Sequence, residues 1–329
     1  MAEFLFEPIL CDPTPARPRL RGGWRSMADI IPYPSNYTPP AASSMARRVN
    51  VFAQRVAFLP GTMGQQRTAI MGIVNVTPDS FSDGGRHETT EGAIAWGLRL
   101  AEAGADLLDI GGESTRPGAA PVDPQDEIRR VVPVIRELAN RGLLLSIDTR
   151  HANVMAAALE AGAHIINDIT ALEGDPAAVR VAVQSGAPVI VMHMRGADPR
   201  TMQDDPSYGD VVAEVYRYLG NRIAALEAAG ISKARLCVDP GIGFGKTPAH
   251  NLALLRHLQL LHGLGCTVLL GASRKRFISA VSADEAPQDR LGGSLAAAIT
   301  AFSAGVQIVR VHDVAETAQA RAVWFATHA

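Results

Sequence analysis

Residues 234–248 read "ARLCVDPGIGFGKTP", and this stretch contains one complete unit of the fold. An apolar run ends at Asp239, a glycine-rich loop follows, and the final threonine and proline suit the first turn of a helix. The loop resembles a nucleotide-binding loop, but it misses both common patterns by one position. A phosphate-binding loop requires glycine where Pro240 stands, and a dinucleotide-binding loop requires glycine where Lys246 stands. The stretch therefore predicts a strand, a loop for some other ligand, and a helix.

The same unit recurs from residue 68 onward, where short apolar runs alternate with longer helical patterns. Runs of this length that are apolar on both faces are typical of parallel strands buried between layers. The eight runs are "TAIMGIVN" (68–75), "ADLLDIGG" (105–112), "LLLSIDT" (143–149), "HIINDI" (164–169), "PVIVMHM" (188–194), "ARLCVDPG" (234–241), "CTVLLGAS" (266–273) and "VQIVRVHD" (306–313). Eight β-α units in about 260 residues match an α/β TIM barrel, a (β/α)8 barrel spanning residues 67–329. A doubly wound open sheet is the alternative.

Every apolar run ends in polar side chains, and this shared position predicts a site. In a TIM barrel the carboxyl ends of the strands open on one face, where enzymes of this fold place their active sites. The polar residues at these ends include Asn75, Asp109, Asp148, Asn167, His193, Asp239, Ser273, Lys275, Arg310 and His312. We expect them to form a ring around one pocket.

Residues 1–66 differ from the rest of the chain and are predicted to be a flexible, largely irregular extension. Eight of the 21 prolines lie in residues 1–40, and stretches such as "IPYPSNYTPPAASS" cannot hold a helix or strand for long. The segment "NVFAQRVAFL" predicts a short strand or hairpin near residues 50–66. A start at Met27 or Met45 is an alternative interpretation of this region.

Composition limits the classes of protein to consider. The chain of 329 residues has 47% hydrophobic residues and a formal net charge of −2, which is typical of a globular protein and argues against a general nucleic-acid binder. No apolar run reaches the ~18–20 residues of a membrane span. The three cysteines form neither a disulfide framework nor a metal-binding spacing. Because the first residues also lack a basic signal-peptide segment, we expect a cytoplasmic protein.

Several strand-end residues have the chemistry to bind a flat, amino-rich heterocycle. Asp148, Asn167 and Asp239 can accept hydrogen bonds from its amino groups, as carboxylates and amides do from base edges. Lys275 can donate to a carbonyl edge, and the guanidinium plane of Arg310 can lie on a ring face. The alternative for Asp148 and Asp239 is that each caps the helix that follows it.

A second set of polar residues suits a phosphorylated group and its metal. Asn75, Arg310 and His312 offer hydrogen-bond donors or a ligand oxygen at the face where barrels bind phosphoryl groups. Mg²⁺ prefers oxygen ligands and keeps several waters, so carboxylates near the first two strands can help to hold it. These carboxylates are Asp79, Asp83 and Asp109. Considered by itself, His312 would be interpreted as a surface histidine.

Two long loops flank the predicted pocket, at residues 75–90 and 111–127. They are rich in glycine, proline, serine and aspartate, and loops over a barrel mouth can close as lids. Phe81 in the first loop can stack on a small aromatic substrate, whereas plain surface connections are the alternative. Met192, at the end of the fifth run, is interpreted as core packing, with a ring-pocket contact as the alternative.

Eight motifs stand at the eight strand ends in chain order. They are "IMGIVNVTPDSFSDGG", "DIGGESTRPGA", "SIDT", "IINDI", "VIVMHMRG", "DPGIGFGKT", "GASRKRFI" and "IVRVHDV". Together they resemble the dihydropteroate synthase family, the folate-pathway enzymes that sulfonamides inhibit, over about residues 66–329. The resemblance implies a reaction in which 6-hydroxymethyl-7,8-dihydropterin diphosphate and p-aminobenzoate give 7,8-dihydropteroate and diphosphate.

The resemblance also implies roles for individual residues and a homodimer formed through barrel helices. The pterin would be held by Asp148, Asn167, Asp239 and Lys275, and its pocket would be lined by Met192 and Phe244. Arg310 would stack on the pterin, while Asn75 and His312 would bind the diphosphate with its Mg²⁺. The two long loops would close over the site with Phe81, Asp83, Thr115 and Arg116. Ser273 and Lys275 would lie near the aminobenzoate. The expected catalytic residues are Asp239, Lys275, Arg310 and Asp148.

Two other functions are the alternatives to a synthase. A related pterin-binding methyltransferase domain, which passes a methyl group from a folate to a corrinoid, would lack "NVTPDSFSDGG" and "STRPG". A non-catalytic relative would have lost a residue such as Asn75, Arg116 or Lys275. Both motifs and all these residues are present, so we expect the synthase. The chain departs from the family pattern at Arg86 and His87, where an aromatic residue is common, and this leaves the packing of the first loop open.

Overall fold

The computed structural model describes residues 68–77, 89–114, 121–196, 201–203 and 206–328. The N-terminal extension at 1–66, with the predicted hairpin near 50–66, lies outside these residues and stays a prediction. Most of the first long loop and part of the second lie outside them as well.

The described residues form a closed barrel of eight parallel strands, in which each strand pairs with the next one along the chain. The strands are β1 (Ala69–Asn75), β2 (Leu107–Gly111), β3 (Leu145–Asp148), β4 (Ile165–Asp168), β5 (Val189–Met192), β6 (Leu236–Asp239), β7 (Thr267–Leu270) and β8 (Ile308–Val311). β8 returns to β1, where Ala69 aligns with Ile308, and this pairing closes the sheet. The predicted TIM barrel is confirmed, and a doubly wound open sheet is excluded because these strands leave no free edge.

Helices follow the strands and cover the outside of the barrel. Those in the described residues are α1 (Thr90–Glu102), α2 (Pro124–Asn140), α3 (Ala152–Glu160), α4 (Ala178–Ser185), α5 (Val211–Ala228), α6 (Pro248–Arg256), α7 (Arg276–Ser279), α8 (Leu291–Ser303) and α9 (Val314–Thr327). Three short 3-10 helices occupy Lys233–Arg235, Leu258–Leu264 and Pro287–Asp289. In this described part of the chain, no helix has the length and apolar character that crossing a membrane requires.

Apolar side chains fill the interior of the barrel. The inner cluster consists of Ala69, Met71, Leu107, Leu144, Ile165, Ile190, Cys237, Leu269 and Ile308. Their neighbours along the strands, such as Ile70 and Leu108, belong to the layer between sheet and helices, because successive residues of a strand face opposite sides. This filled interior leaves the carboxyl ends of the strands as the place where a ligand can approach.

The start of α6 has the form that the sequence predicts. Thr247 accepts a hydrogen bond from the backbone N–H of His250, whose ring accepts one from the Thr247 N–H, and the following proline occupies the first helical position. Thr247 therefore caps this helix, and α3 begins directly after His151. The alternative in which Asp148 and Asp239 cap these two helices is wrong.

Arg321 in α9 ties the last helix to the amino-terminal end of the barrel. Its side chain is 1% exposed, and Nη1 donates to the Thr68 carbonyl oxygen at 2.8 Å and to the Asp106 carboxylate. The same carboxylate accepts a hydrogen bond from the Ile70 N–H at 2.9 Å. The Asp106–Arg321 pair therefore fastens the barrel close to the seam between its first and last strands.

Replacing Arg321 by methionine is expected to lower the free energy of unfolding by about 2–4 kcal/mol, because Asp106 and the Thr68 carbonyl lose a buried partner. Urea denaturation of both proteins measures the change. Arg141→Met is the matched control, since Arg141 pairs with Glu137 at the surface, where an ion pair contributes about 1 kcal/mol or less. Equal losses in the two variants would contradict the fastening role of Arg321.

Candidate active site

Strand pairing places several predicted site residues at one level, at the carboxyl ends of the strands. Asp148 in β3 aligns with Asn167 in β4, and Met192 in β5 aligns with Asp239 in β6. Asn75 is the last residue of β1 and lies at the same end. These residues are distant in sequence, and the closed sheet brings them to one face. The polar residues at the ends of the apolar runs predict this arrangement.

Arg310 in β8 is held between two carboxylates. Its Nε donates to Oδ2 of Asp109 at 2.5 Å, and its Nη2 donates to Oδ2 of Asp148 at 2.8 Å. Asp109 also accepts hydrogen bonds from the Asn167 amide at 3.0 Å and from the Ser146 hydroxyl. Charge-assisted contacts of this kind fix the plane of a guanidinium. The network therefore sets one orientation for Arg310 at the strand ends.

Asp109 was expected to bind the substrate or to help hold Mg²⁺, and the structure places it in a closed hydrogen-bond network instead. Its side chain is fully buried, and both carboxylate oxygens already have partners. Asp109 therefore contacts Arg310 and Asn167, and its side chain has no exposed oxygen to offer a ligand. The sequence cannot show this difference, because a carboxylate in an apolar run looks the same whether it faces a ligand or a buried arginine.

Asp148, beside Arg310, differs from an ordinary surface carboxyl group in its protonation. Burial and the nearby charge of Asp109 raise the pKa of Asp148 to about 7, and the opposing charge of Arg310 only partly offsets them. Burial disfavours the charged form of Arg310, but Asp109 and Asp148 outweigh this and raise the pKa of the guanidinium. At neutral pH the cluster therefore combines a fixed cation with a carboxyl group that can exchange a proton.

Asp239 and Lys275 both contact the glycine-rich loop that follows β6. Oδ1 of Asp239 accepts the Gly241 N–H at 2.7 Å, and burial raises the pKa of this carboxyl against the opposing charge of Lys275. The Lys275 ammonium donates to the Ile242 carbonyl oxygen, and its Nζ lies 4.4 Å from the centre of the Phe244 ring. The loop therefore holds the ammonium of Lys275 by a backbone oxygen and an aromatic face.

Lys275 gives a prediction for the pH dependence of catalysis. Burial lowers the pKa of Lys275 to about 8, with Asp239 opposing the shift. The ammonium is the form that donates to a substrate carbonyl, so kcat/KM is expected to fall as pH rises through about 8, which a pH–rate profile measures. Lys275→Arg is the control, because a guanidinium keeps its charge and the fall should disappear. A flat wild-type profile between about pH 7 and 9 would contradict this role.

The segment after β8 is tied to the segment after β7. The backbone N–H of His312 donates to the Ser273 hydroxyl at 3.2 Å, and the His312 Nδ1 lies 3.1 Å from the same oxygen. Arg274 makes a two-pronged ion pair with Asp313, with distances of 3.1 and 2.5 Å. The sequence did not predict this ion pair. It fixes His312 close to Arg310, in a place where a cation and an imidazole can face an anionic group.

Asn75 is the predicted metal ligand, and Met192 is a predicted residue of the pocket lining. Met192 is buried against the glycine-rich loop, since a Cβ added to Gly241 would lie 3.2 Å from its Cγ, and this agrees with its interpretation as packing. Asn75 is partly exposed. Within the described ranges, no three His, Cys, Asp or Glu side chains converge as a metal site. A metal at Asn75 would therefore take further oxygens from a substrate, from water or from residues outside those ranges.

Five predicted site residues in the long loops lie outside the described residues, and their roles stay predictions. They are Asp79, Phe81, Asp83, Thr115 and Arg116. The base of the second loop is described, and Glu113 there accepts two hydrogen bonds from Arg150, at 3.0 and 2.9 Å. Glu113 also accepts the Val122 N–H at 3.3 Å. Both ends of this loop are therefore fastened to the same carboxylate.

Comparisons with known proteins match most of the barrel. A family model described as "Pterin binding enzyme" matches residues 71–312. Dihydropteroate synthase of Escherichia coli strain K12 is 48% identical over 259 residues, which are 78% of this chain and 91% of that protein. Xanthomonas albilineans dihydropteroate synthase with 4-aminobenzoic acid has a TM-score of 0.75 and 54% identity, over 80% of this chain and 94% of that one. The same enzyme in complex with 7,8-dihydropteroate has a TM-score of 0.72 and 51% identity, over 80% and 95%.

Proposed function

The chain belongs to the pterin-binding enzyme family, among its dihydropteroate synthases, and from this premise we propose how its residues divide the work. The enzyme condenses 6-hydroxymethyl-7,8-dihydropterin diphosphate with p-aminobenzoate, giving 7,8-dihydropteroate and diphosphate. The aryl amine nitrogen attacks the pterin methylene carbon, and the carbon–oxygen bond to the diphosphate breaks. The electron pair of that bond leaves on the diphosphate, and the nitrogen loses a proton to solvent.

The observation that carries the division of roles is the gathering of four charged residues at one end of a filled barrel. They are Asp148, Asp239, Lys275 and Arg310. Asp148 and Asp239, with the amide of Asn167, accept hydrogen bonds from the amino and ring N–H groups of the pterin. Lys275 donates to its carbonyl edge, and Arg310 lies along its face. A flat ring that carries donors on one edge and an acceptor on another satisfies all of these groups.

Residues of opposite charge stabilise the two ends of the bond that breaks. As diphosphate departs, positive charge develops on the methylene carbon, and the Asp239 carboxylate stabilises it. Arg310 and His312 stabilise the negative charge that develops on the leaving group. The aryl amine needs no strong base, because it is unprotonated at neutral pH. We assign Ser273 to the neighbourhood of the p-aminobenzoate. The loop residues Phe81, Asp83, Thr115 and Arg116 are assigned to closure over it.

Diphosphate release tests the reaction directly. The protein is mixed with the pterin diphosphate and Mg²⁺, with and without p-aminobenzoate, and both diphosphate and dihydropteroate are measured. Release that depends on p-aminobenzoate, with equal amounts of both products, is the expected result. Tight pterin binding without product would instead favour a non-catalytic relative or a methyltransferase-type domain.

Mg²⁺ is proposed as the cofactor, held by Asn75 and by oxygens of the substrate diphosphate. The donors fit, because Mg²⁺ uses one or two protein oxygens together with phosphates and waters rather than a full protein cage. The bound ion would neutralise part of the charge of the leaving group. The test is binding of the pterin diphosphate and of the diphosphate-free pterin with Mg²⁺ and with chelator. Mg²⁺ is expected to strengthen binding of the pterin diphosphate and to leave binding of the diphosphate-free pterin unchanged. Equal binding of the pterin diphosphate with Mg²⁺ and with chelator would contradict the proposal.

We also propose a homodimer formed through the helices of the second half of the barrel. Six large apolar residues are exposed in the described part of the chain, and five of them lie between residues 252 and 323. Two of these are Val281 at 60% exposure and Ile299 at 40%. In light scattering after size exclusion, the Val281→Asp/Ile299→Asp variant is expected to be a monomer. Val183→Asp on α4 is the control, and a wild-type monomer would contradict the proposal.

A cytoplasmic location is proposed on the basis of the cysteines. Cys237 and Cys266 are buried free thiols, and burial raises the pKa of each, which suits a compartment that keeps thiols reduced. Cell fractionation tests this location. The protein is expected with cytoplasmic markers, and recovery with secreted or envelope proteins would contradict it.

A further inference from the structure

Lys246 is a buried lysine that the chemistry described above does not use. It follows the glycine-rich loop, and its side chain is 3% exposed. Its ammonium contacts three atoms of two residues: the His193 carbonyl oxygen at 3.2 Å, the His193 Nδ1 at 2.9 Å and the Phe244 carbonyl oxygen at 3.0 Å. Burying an ammonium costs free energy unless several acceptors surround it. The three acceptors offset part of this cost, and they tie Lys246 to the segments that follow β5 and β6.

The loop that precedes Lys246 bends at three residues whose backbone conformation only glycine adopts without strain. Gly241, Gly243 and Gly245 have positive φ angles of 68°, 82° and 63°. A Cβ on Gly241 would lie 1.9 Å from the His193 carbonyl oxygen, so the loop lies directly against the segment after β5. Glycine-rich backbone has many accessible conformations, and a single conformation requires contacts from outside the loop.

Other side chains supply such contacts at the margins of the loop. Tyr208 donates its hydroxyl to the Gly245 carbonyl at 2.9 Å, and Gln203 donates to the Gly243 carbonyl at 2.5 Å. Lys246 differs from both because it holds the carbonyl of Phe244 itself. The ring of Phe244 and the carbonyl of Ile242 are the two groups that hold the Lys275 ammonium.

We propose that Lys246 is a positioning residue for pterin binding, which by fastening the Phe244 and His193 carbonyls fixes the loop that orients Lys275. The proposal rests on the synthase reaction given above. Lys246 does not touch the substrate in this arrangement. It acts through the Phe244–Ile242 segment, so its removal should affect the pterin and leave p-aminobenzoate unaffected.

Steady-state kinetics of Lys246→Met test the proposal, with diphosphate release as the readout. We expect KM for the pterin diphosphate to rise about tenfold or more, with kcat and the KM for p-aminobenzoate within about threefold of wild type. Lys246→Gln keeps an N–H donor and should recover part of the loss. Lys233→Met is the matched control, since Lys233 precedes β6 at the other end of the strand and is partly exposed, and it should behave as wild type.

The outcomes separate this proposal from its alternatives. A variant that merely folds less well has fewer active molecules, so kcat falls while KM for the pterin stays the same, and that result would overturn the positioning role. An unchanged KM with unchanged kcat would overturn it as well. If Lys246→Met does not fold, Lys246→Gln decides by the same criterion. A wild-type protein without turnover in this assay would count against the reaction itself and not against Lys246.

Discussion

Replacing Asp239 by asparagine is expected to reduce kcat/KM for the pterin diphosphate by about 10²–10³-fold, because the variant loses the charge that stabilises the cationic methylene carbon. Asparagine has nearly the same volume and can still accept the Gly241 N–H, so the turn after β6 should persist. The loss should therefore be electrostatic, and the unfolding midpoint should not decrease. Removing the negative charge also deprives Lys275 of the carboxylate that opposes its desolvation.

Diphosphate release and thermal unfolding, measured on the same preparation, check this result. Asp210→Asn is the matched control: Asp210 caps α5 at an exposed position, and asparagine is an equally good cap. We expect the control to keep wild-type activity. Activity of Asp239→Asn close to that of wild type would remove Asp239 from the pterin pocket.

Replacing Arg310 by methionine is expected to affect both catalysis and folding. The variant leaves Asp109 and Asp148 near each other without their shared cation, which should lower the free energy of unfolding by about 3–5 kcal/mol at pH 7. Turnover should fall by about 10³-fold, because the guanidinium charge no longer stabilises the leaving diphosphate. Arg310→Lys keeps the charge but not the two-pronged geometry, so it should regain more stability than activity.

The stability of Arg310→Met should also change with pH in a known direction. Burial and Asp109 already raise the pKa of Asp148 above the unfolded value, and removing the guanidinium removes the charge that opposes them. A carboxyl group with a raised pKa binds its proton more tightly in the folded state, so stability increases as pH falls. Urea denaturation should therefore find the variant closer to wild type at about pH 5 than at about pH 7. A deficit that does not depend on pH would show that Asp148 does not rely on Arg310.

Much of the fold could be predicted from the sequence because its signals are local. A run such as "SIDT" changes from apolar to polar at the residue where β3 ends, and the Thr-Pro pair marks the start of α6. Strand order follows from these signals as well, since each strand of a β-α series pairs with its neighbour in sequence. Asp148, Asn167 and Asp239 could be placed in one site for the same reason.

The parts that could not be predicted depend on contacts between distant segments. Asp109 looked like a ligand-binding carboxylate, and only the closed sheet shows that Arg310 in β8 donates to its Oδ2 and Ser146 in β3 to its Oδ1. Lys246 looked like the end of a glycine-rich loop, and no local pattern shows that it points toward His193. The pairing of Arg274 with Asp313 is likewise invisible, because 39 positions separate the two residues.

The tie between Arg321 and Asp106 has a consequence for synthesis on the ribosome. Its two residues are 215 positions apart, and β1 finds its second neighbour only when β8 has been made. Until then a growing chain presents two unpaired strand edges, which are the surfaces on which partly folded chains aggregate. The edge of β1 is therefore covered only when β8 pairs with it, and Arg321 in the helix after β8 then fastens the closed seam.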